Sequence, residues 1–289
     1  YSTNNVNQND NQLGYYLAGL IEGDGSIIVP TKKRTDKGRL THPVIRIVFS
    51  LSDLPLAEKL QQVLGCGFIQ KPKKGNYVLY EIQNQAGLLK LTNLIYGKIR
   101  TPKIEALNRL IDWLNNKNVN GNIFEYSELD LNTSPIINNA WLSGFIDADG
   151  SFDVKVREKS YNGKGKNRVE TRLRIEQRIT DPSTELSYYS VMKSIAKLNT
   201  SLHNEGIEYY TVSATSPAKL KTLINYLDTY PLFSSKLLNY LDFKFCVNLM
   251  LSRKHLTEQG RDNIKIIKAG MNRKRTYYNW DHLEKLSEY

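Results

Sequence analysis

The sequence predicts an α+β protein made of two pseudo-symmetric halves, each a set of helices laid against an antiparallel sheet. Two observations predict it. A nine-residue segment occurs twice at about the spacing of one small domain, and the same order of helical and strand patterns follows each copy. Leu17 to Gly25 reads L-A-G-L-I-E-G-D-G and Leu142 to Gly150 reads L-S-G-F-I-D-A-D-G, with Asp24 and Asp149 standing 125 residues apart. Both copies close on acid–Gly–Ser, at Asp24-Gly25-Ser26 and Asp149-Gly150-Ser151.

Small residues fall at helical spacing in both copies. Gly19 and Gly23 are four apart, as are Gly144 and Ala148, so each pair shares one helix face. Such a face lets two backbones approach closely. If the copies pack on each other, Asp24 and Asp149 arrive side by side at the shared helix end. Like charges held that close repel, and a divalent cation between them removes the conflict.

The elements follow in order. A first helix is expected from Gln12 or Leu13 to Gly23–Gly25, after a polar, Asn-rich stretch from Tyr1 to Asn11 that reads as a flexible arm. Ser26 to Lys33 reads as a strand and Arg34 to Arg39 as a charged loop. His42 to Ser52 is a strand because Ile45, Ile47, Phe49 and Leu51 alternate with Arg46 and Ser50. Pro55 to Leu64 is helical, with Asp53 as its expected N-terminal cap and Gly65 past its end. Gly67–Pro72 and Tyr77–Gln83 form a hairpin around Lys73-Lys74-Gly75-Asn76. Helices follow at Gln85–Tyr96 and at Pro102–Leu114, where Pro suits the first turn.

Residues 115–137 carry six Asn or Gly between 115 and 122, with no apolar period, and read as a linker closed by Pro135. The order then repeats: a helix at Asn138–Ala148, strands at Ser151–Lys159 and Arg168–Thr180, a helix at Pro182–Leu198, a weaker strand pair at Thr200–Thr215, and helices at Pro217–Tyr230 and Ser235–Leu251. The expected divisions are therefore 1–11, 12–114, 115–137, 138–255 and a basic extension at 256–289 with room for one more helix. Opening on Tyr rather than Met, the chain is expected to continue from an upstream leader or fused segment.

Composition narrows the partner. Forty Lys and Arg against 29 Asp and Glu give a net charge of +11 and a pI near 9.4, which points to a polyanion, nucleic acid ahead of a membrane surface. Two cysteines, Cys66 and Cys246, are too few for a disulfide framework or a cysteine-built zinc site. No apolar run reaches the length of a membrane span, and the N-terminus lacks the layout of a signal peptide.

The strands supply the surface that such a partner needs. Phe152, Val154 and Val156 can face a core while Ser151, Asp153, Lys155, Arg157 and Lys159 face outward. Val169, Leu173, Ile175 and Ile179 alternate with Arg168, Glu170, Arg172, Arg174, Glu176 and Arg178, six polar positions of which four are Arg. The first half offers Ser26, Ile28, Lys32, Arg34, Arg46, Ser50, Gln70, Glu81 and Gln83. Arg and Gln in strips suit base edges in the major groove of double-stranded DNA, where Arg reads guanine and Gln reads adenine. An ordinary half-solvated sheet also alternates, so the pattern gains its meaning beside the acidic pair.

The two nonapeptides, their separation and the patterns after them resemble the LAGLIDADG homing endonucleases in their single-chain, two-motif form, over roughly residues 10–255. The resemblance implies αββαββα-like half-domains, a motif-helix interface, and curved sheets forming a DNA-binding saddle. It implies that Asp24 and Asp149 bind divalent metal near the scissile phosphates, with the carbonyls of Gly23 and Ala148 as backbone ligands. It further implies Mg²⁺ as cofactor, with Mn²⁺ substituting and Ca²⁺ binding without supporting cleavage, and a monomer that cuts one bond per strand of a roughly 20 bp site, leaving short 3′ overhangs.

Glu22 and Asp147 lie about 200° around the helix from Asp24 and Asp149, which reads as a structural or positioning role. F-S-L-S-D at Phe49–Asp53 aligns with Q-R-I-T-D at Gln177–Asp181, where relatives of this family often keep a polar residue that orders water; capping is the expected role of Asp53 and Asp181. T-P-K at Thr101–Lys103 aligns with S-S-K at Ser234–Lys236, which makes Lys103 and Lys236, with Arg100, candidates for stabilising charge on the cleaved phosphate. A solvated helix-end Lys is the competing reading. The rival functions are an RNA maturase of the same fold, with intron RNA as its partner, and a DNA-binding protein without cleavage; paired Asp24 and Asp149 favour the nuclease. Richness in Asn, Lys, Ile and Tyr, with 18 Tyr against 8 Phe, fits AT-rich coding DNA and, with the resemblance, an organellar, mitochondrial intron origin.

Overall fold

Helix α1 (Gln8–Asp24) carries the first motif and starts four residues earlier than the apolar pattern alone indicates. The computed structural model describes residues 8–34, 36–116, 127–158, 167–179, 186–198, 201–205 and 208–289, with backbone alone at 8–11, 201 and 203–205. Much of the expected linker, most of the loop at 160–167, and Lys159 and Asp181 lie outside the described residues. Two units divide the chain: the described residues of Tyr1–Ala148, Asp181–Ser187 and His282–Tyr289 form one, and those of Asp149–Thr180 and Tyr188–Asp281 form the other.

In the first unit α1 runs straight into β1 (Gly25–Ile28), which is shorter than the Ser26–Lys33 strand because Pro30 cannot donate to a ladder. Lys32 and Arg34 consequently sit in a loop, where Lys32 pairs with Asp36 at 3.6 Å and Arg34 donates to Gly38 O at 2.7 Å. β2 (Val44–Ser50) ends in a 3₁₀ turn over Leu51–Asp53, and α2 (Leu54–Leu64) follows. Asp53 holds the N-cap position but its side chain makes no cap hydrogen bond, contrary to expectation; Ser50 instead caps the 3₁₀ turn by accepting from Ser52 N. Gly65 ends α2 at a φ of 63°, in the left-handed region that glycine enters without a Cβ penalty.

β3 (Phe68–Gln70) and β4 (Tyr77–Ile82) form the expected hairpin, and the antiparallel sheet runs in the order β1-β2-β4-β3. Ile45, Ile47, Phe49, Val78, Tyr80 and Ile82 are buried on one face, below α1 and the helices α2 and α3 (Gln85–Ile95). Pro102 lies in the turn before α4 (Ile104–Asn115), outside the helix, and Lys103 takes the N-cap position. The described part of the expected linker is bound to this unit. Asn132 N donates to Ile99 O at 2.7 Å, Leu129 N to the Asn108 side chain at 3.1 Å, and the buried Arg100 guanidinium to Ser134 O at 2.8 Å.

Helix α5 (Trp141–Asp149) carries the second motif, and its residues up to Ala148 belong to the first unit because they pack on α1. A Cβ on Gly19 would lie 2.0 Å from Trp141 O, and one on Gly144 would lie 2.0 Å from Tyr16 O. The glycine face of each motif therefore meets the backbone of the other.

The second unit repeats the topology. β5 (Gly150–Arg157), β6 (Arg168–Arg178), β7 (Ser201–Glu205) and β8 (Tyr209–Ala214) form an antiparallel sheet of order β5-β6-β8-β7, with α6 (Tyr189–Ala196) between β6 and β7. After α7 (Pro217–Thr229), α8 (Lys236–Leu251) packs on β5 and β6, placing Phe152 against Tyr240 and Phe243 with centroids 5.7 and 5.2 Å apart. The extension supplies α9 (Glu258–Ala269) against β5, fixed where Asn272 Nδ2 donates to Phe152 O and Arg275 pairs with Asp242. Among the described residues no helix is long and apolar enough to cross a membrane, and Cys66 and Cys246 are free thiols.

Candidate functional site

Both motif helices end on their second acid and turn into the first strand of a sheet. Asp24 is exposed at the end of α1, and Asp149 is half-buried at the end of α5. The first acids point elsewhere, as their position around the helix requires. Glu22 is buried and accepts from Arg100 N at 2.7 Å, Thr101 N at 2.5 Å and the Trp141 indole. Asp147 is buried and accepts from the Tyr16 phenol at 2.8 Å. Burial pushes the Glu22 carboxyl above the usual carboxylate range, and these hydrogen bonds hold it down only in part. Burial, then the Asp147 charge, pushes Tyr16 well above an ordinary phenol.

The end of α1 already attracts a cation. Lys103 Nζ donates to the carbonyls of Ile21, Gly23 and Gly25 at 2.9, 3.1 and 2.6 Å, where the negative end of the helix dipole gathers unsatisfied oxygens. Its ammonium is half-buried and bonded, which replaces the reading of a solvated helix-end Lys. Gly23 O, expected as a metal ligand, is one of the three acceptors. Lys236 starts α8, where its backbone N donates to Ser234 Oγ at 3.1 Å, the counterpart of Lys103 N and Thr101 Oγ1 at 3.4 Å. Arg100 is buried, and its guanidinium binds Ser134 and lies 5.5 Å from the Trp141 ring, so it anchors the chain before the second motif.

The donor chemistry around Asp24 and Asp149 fits a hard divalent cation: carboxylate and backbone carbonyl oxygens, without sulfur or imidazole. Among the described residues no group of three or more His, Cys, Asp and Glu could hold a metal. A cation here would thus draw on one carboxylate and a carbonyl per motif, with its remaining ligands from outside the chain. One partner of Asp149 was passed over in the sequence. Gln177 Nε2 donates to Asp149 Oδ2 at 2.5 Å, from the core-facing side of β6. The signal was its odd position, a polar residue among Val169, Leu173 and Ile175; Phe49 stands at the aligned place in the first half.

The sheet faces turned away from the helices carry the expected polar positions. In the second unit Ser151, Asp153, Lys155 and Arg157 stand opposite Arg174, Arg172, Glu170 and Arg168, as the strand alternation requires. Arg174, Glu176 and Arg178 pair across to Ser213, Thr211 and Tyr209, three positions of β8 missed because its alternation is weak. Asp153 bridges Lys155 and Arg172 at 3.7 and 3.9 Å, Glu170 bridges Arg157 and Arg168 at 3.7 and 3.1 Å, and Glu176 pairs with Arg174. Exposed pairs of this kind are worth under about 1 kcal/mol each. They hold the side chains in rows yet yield readily to a stronger anion. Asp153, Lys155, Arg157, Arg168, Glu170 and Arg172 also line an open 630 Å³ cleft.

The first unit's face differs. Ser26, Arg46, Glu81 and Phe68 form one row across its four strands. Glu81 is only 2% exposed and pairs with Arg46 Nε at 2.5 Å, while Gln83, just past β4, donates to Glu81 at 3.0 Å. Glu81 is therefore a buried counter-ion and not the exposed contact expected of it. Ile28, Ser50 and Gln70 are exposed on this face, Ser50 with its hydroxyl against Ser52, and so are Val48, Phe68 and Tyr77, which the polar pattern did not single out.

Two copies of a helix closing on acid–Gly–Ser, each opening into a four-stranded sheet of one strand order, define an α+β nuclease of the two-motif class. The family model described as LAGLIDADG endonuclease matches residues 17–121 and 142–247, and the chain belongs to that family. It is 32% identical to the intron-encoded DNA endonuclease aI3 of Saccharomyces cerevisiae, over 97% of this chain and 74% of that protein. It is 34% identical to an uncharacterized cox1 intron-2 37.2 kDa protein of Schizosaccharomyces pombe, over 89% of this chain and 72% of that one. Its fold is similar to that of the I-SmaMI LAGLIDADG homing endonuclease bound to cleaved DNA, with a TM-score of 0.68 at 20% identity over 91% of this chain and 98% of that one. The same endonuclease bound to uncleaved DNA in the presence of calcium ions gives 0.67 at 21% identity, over 90% and 98%.

Proposed function

We propose that this chain is a monomeric, site-specific DNA endonuclease that cuts one phosphodiester on each strand of a site of roughly 20 bp, about two helical turns, leaving short 3′ overhangs. The observation that carries the reading is the shared end of motif helix and strand. Asp24 and Asp149 stand where each helix passes into a sheet whose outer face holds rows of side chains suited to a duplex. Mg²⁺ is the proposed cofactor, held by Asp24, Asp149 and the carbonyls of Gly23 and Ala148. When bound it lowers the pKa of a ligated water and neutralises charge growing on the phosphate. Lys103 fixes the carbonyl end of α1, Gln177 orients Asp149, and the Arg and Lys rows of β5 and β6 hold the duplex, Arg reading guanine edges. The calcium in the I-SmaMI complex supports a divalent ion, and the intron-encoded relatives support an organellar intron origin.

Cleavage of a randomised duplex library with Mg²⁺, beside Asp24→Asn and Asp149→Asn, tests the reading. Cuts at one long site, lost in either variant while binding survives, are expected. Tight binding without cutting by the unaltered chain would overturn it in favour of an intron RNA maturase on the same fold, to be followed by a splicing assay.

A further inference from the structure

Resting on the reading of the sheet faces as the DNA interface, we infer that the two faces read different base chemistry, and that the first unit selects a thymine-rich half-site through methyl contacts. The outer face of β1–β4 has almost no free charge at its centre, since Arg46 and Glu81 neutralise each other. Around that pair Ile28, Val48, Phe68 and Tyr77 are 42, 37, 37 and 39% exposed, and the strand register puts all four on the same side. On a free sheet this apolar strip has no local explanation. Basic loops flank it. The β1–β2 connection exposes Lys32, Lys33, Arg34, Lys37 and Arg39 against a lone Asp36, and the β3–β4 turn exposes Lys71, Lys73 and Lys74 with no acid. Cations at the rim and apolar side chains at the centre complement a major groove, with phosphates along its edges and thymine C5-methyl groups on its floor. The second unit's face, with its Arg rows and Glu and Asp acceptors, offers hydrogen-bond readout instead. The chain therefore fits an asymmetric site, thymine-rich where β1–β4 lie and guanine-containing where β5–β8 lie.

The test uses the full chain and duplex DNA selected from a random library in Ca²⁺. Deoxyuridine replaces thymidine in one half at a time, which removes the methyl and leaves base pairing intact. Substitution in one half should weaken binding about threefold to fourfold per contacted methyl, and substitution in the other half should leave it unchanged. Val48→Ser and Phe68→Ser should abolish the sensitivity of the first half. A selected site without a thymine-rich half, or equal affinity for both bases in both halves, overturns the inference. Cleavage of the thymidine duplex with Mg²⁺ is scored separately. A chain that cuts but ignores deoxyuridine loses only this inference, whereas one that binds no duplex loses the nuclease reading as well. The deoxyuridine arm needs no variant, so a misfolded variant does not blunt it.

Discussion

The phenol of Tyr16 donates to Oδ2 of Asp147 at 2.8 Å across the packed motif helices, and the contact recurs in the opposite sense. Trp141 holds the place of Tyr16 in the second copy, and its indole donates to Glu22, which holds the place of Asp147 in the first. The aromatic residue before each motif thus satisfies the first acid of the other. Buried carboxylates are tolerated only with such partners, and these lock two helices whose glycines otherwise offer no side-chain grip.

Tyr16→Phe keeps the ring and removes the donor. The variant should lose about 1–3 kcal/mol of stability, the cost of removing a partner from a buried polar group. Urea unfolding followed by circular dichroism reads this as a lower midpoint at constant slope.

Glu22 gives the fold a pH dependence. Its folded pKa is raised above the ordinary value near 4.5. The associated stability is fully present below that value and is lost as pH rises through the folded pKa. Wild type should therefore become less stable from about pH 4.5 upward by a component absent from Glu22→Gln. The amide cannot accept at both ends, so the variant starts weaker. The gap between the two should narrow as pH rises, and denaturation at a series of pH values measures it; a gap that widens would contradict the direction of the shift.

Gly19→Ala and Gly144→Ala each place a methyl 2.0 Å from a backbone oxygen. Backbone cannot swing aside like a flexible side chain, so the helices must separate, at about 3 kcal/mol each. Thermal unfolding would show a large drop for both, in contrast to Ala at exposed Gly38, which has open space but an unfavourable φ of 77°.

Much of this was legible in the sequence because it rests on period. The motif repeat gave the close helix contact, and the alternation in Arg168–Arg178 gave the outer row of β6 in its observed register. What failed depended on individual side chains. Asp53 occupies a cap position without capping, because the 3₁₀ turn before α2 puts Ser50 to that use. Lys32 and Arg34 left the strand when Pro30 ended it. Val48 and Phe68 were invisible because an apolar residue on an outer face looks, in sequence, like one bound for the core. Gln177 was hidden for the converse reason.

Gln177→Leu should slow cutting by about 10–100-fold, the usual effect of removing a residue that orients a metal ligand. The loss should fall on one strand. The aligned position in the first half is Phe49, which donates no hydrogen bond, so only the Asp149 side depends on such an amide. Accumulation of nicked circles from a supercoiled plasmid bearing the site would reveal it; equal slowing of both strands would argue against this asymmetry.

Lys103 combines two roles that a pair of variants can separate. Its ammonium neutralises three carbonyls at the end of α1, so Lys103→Met should cost about 1–2 kcal/mol of stability through the loss of a half-buried charged cap. If capping were its entire contribution, activity would return once the protein is assayed well below its unfolding temperature. If the positive charge also serves the phosphate, cutting should stay depressed there, with DNA affinity little changed. Lys103→Arg keeps the charge but spreads it over a planar fork that cannot converge on three carbonyls as an ammonium does. It should therefore recover part of the cutting rate while remaining less stable than wild type, and single-turnover cleavage measured beside urea unfolding distinguishes the two.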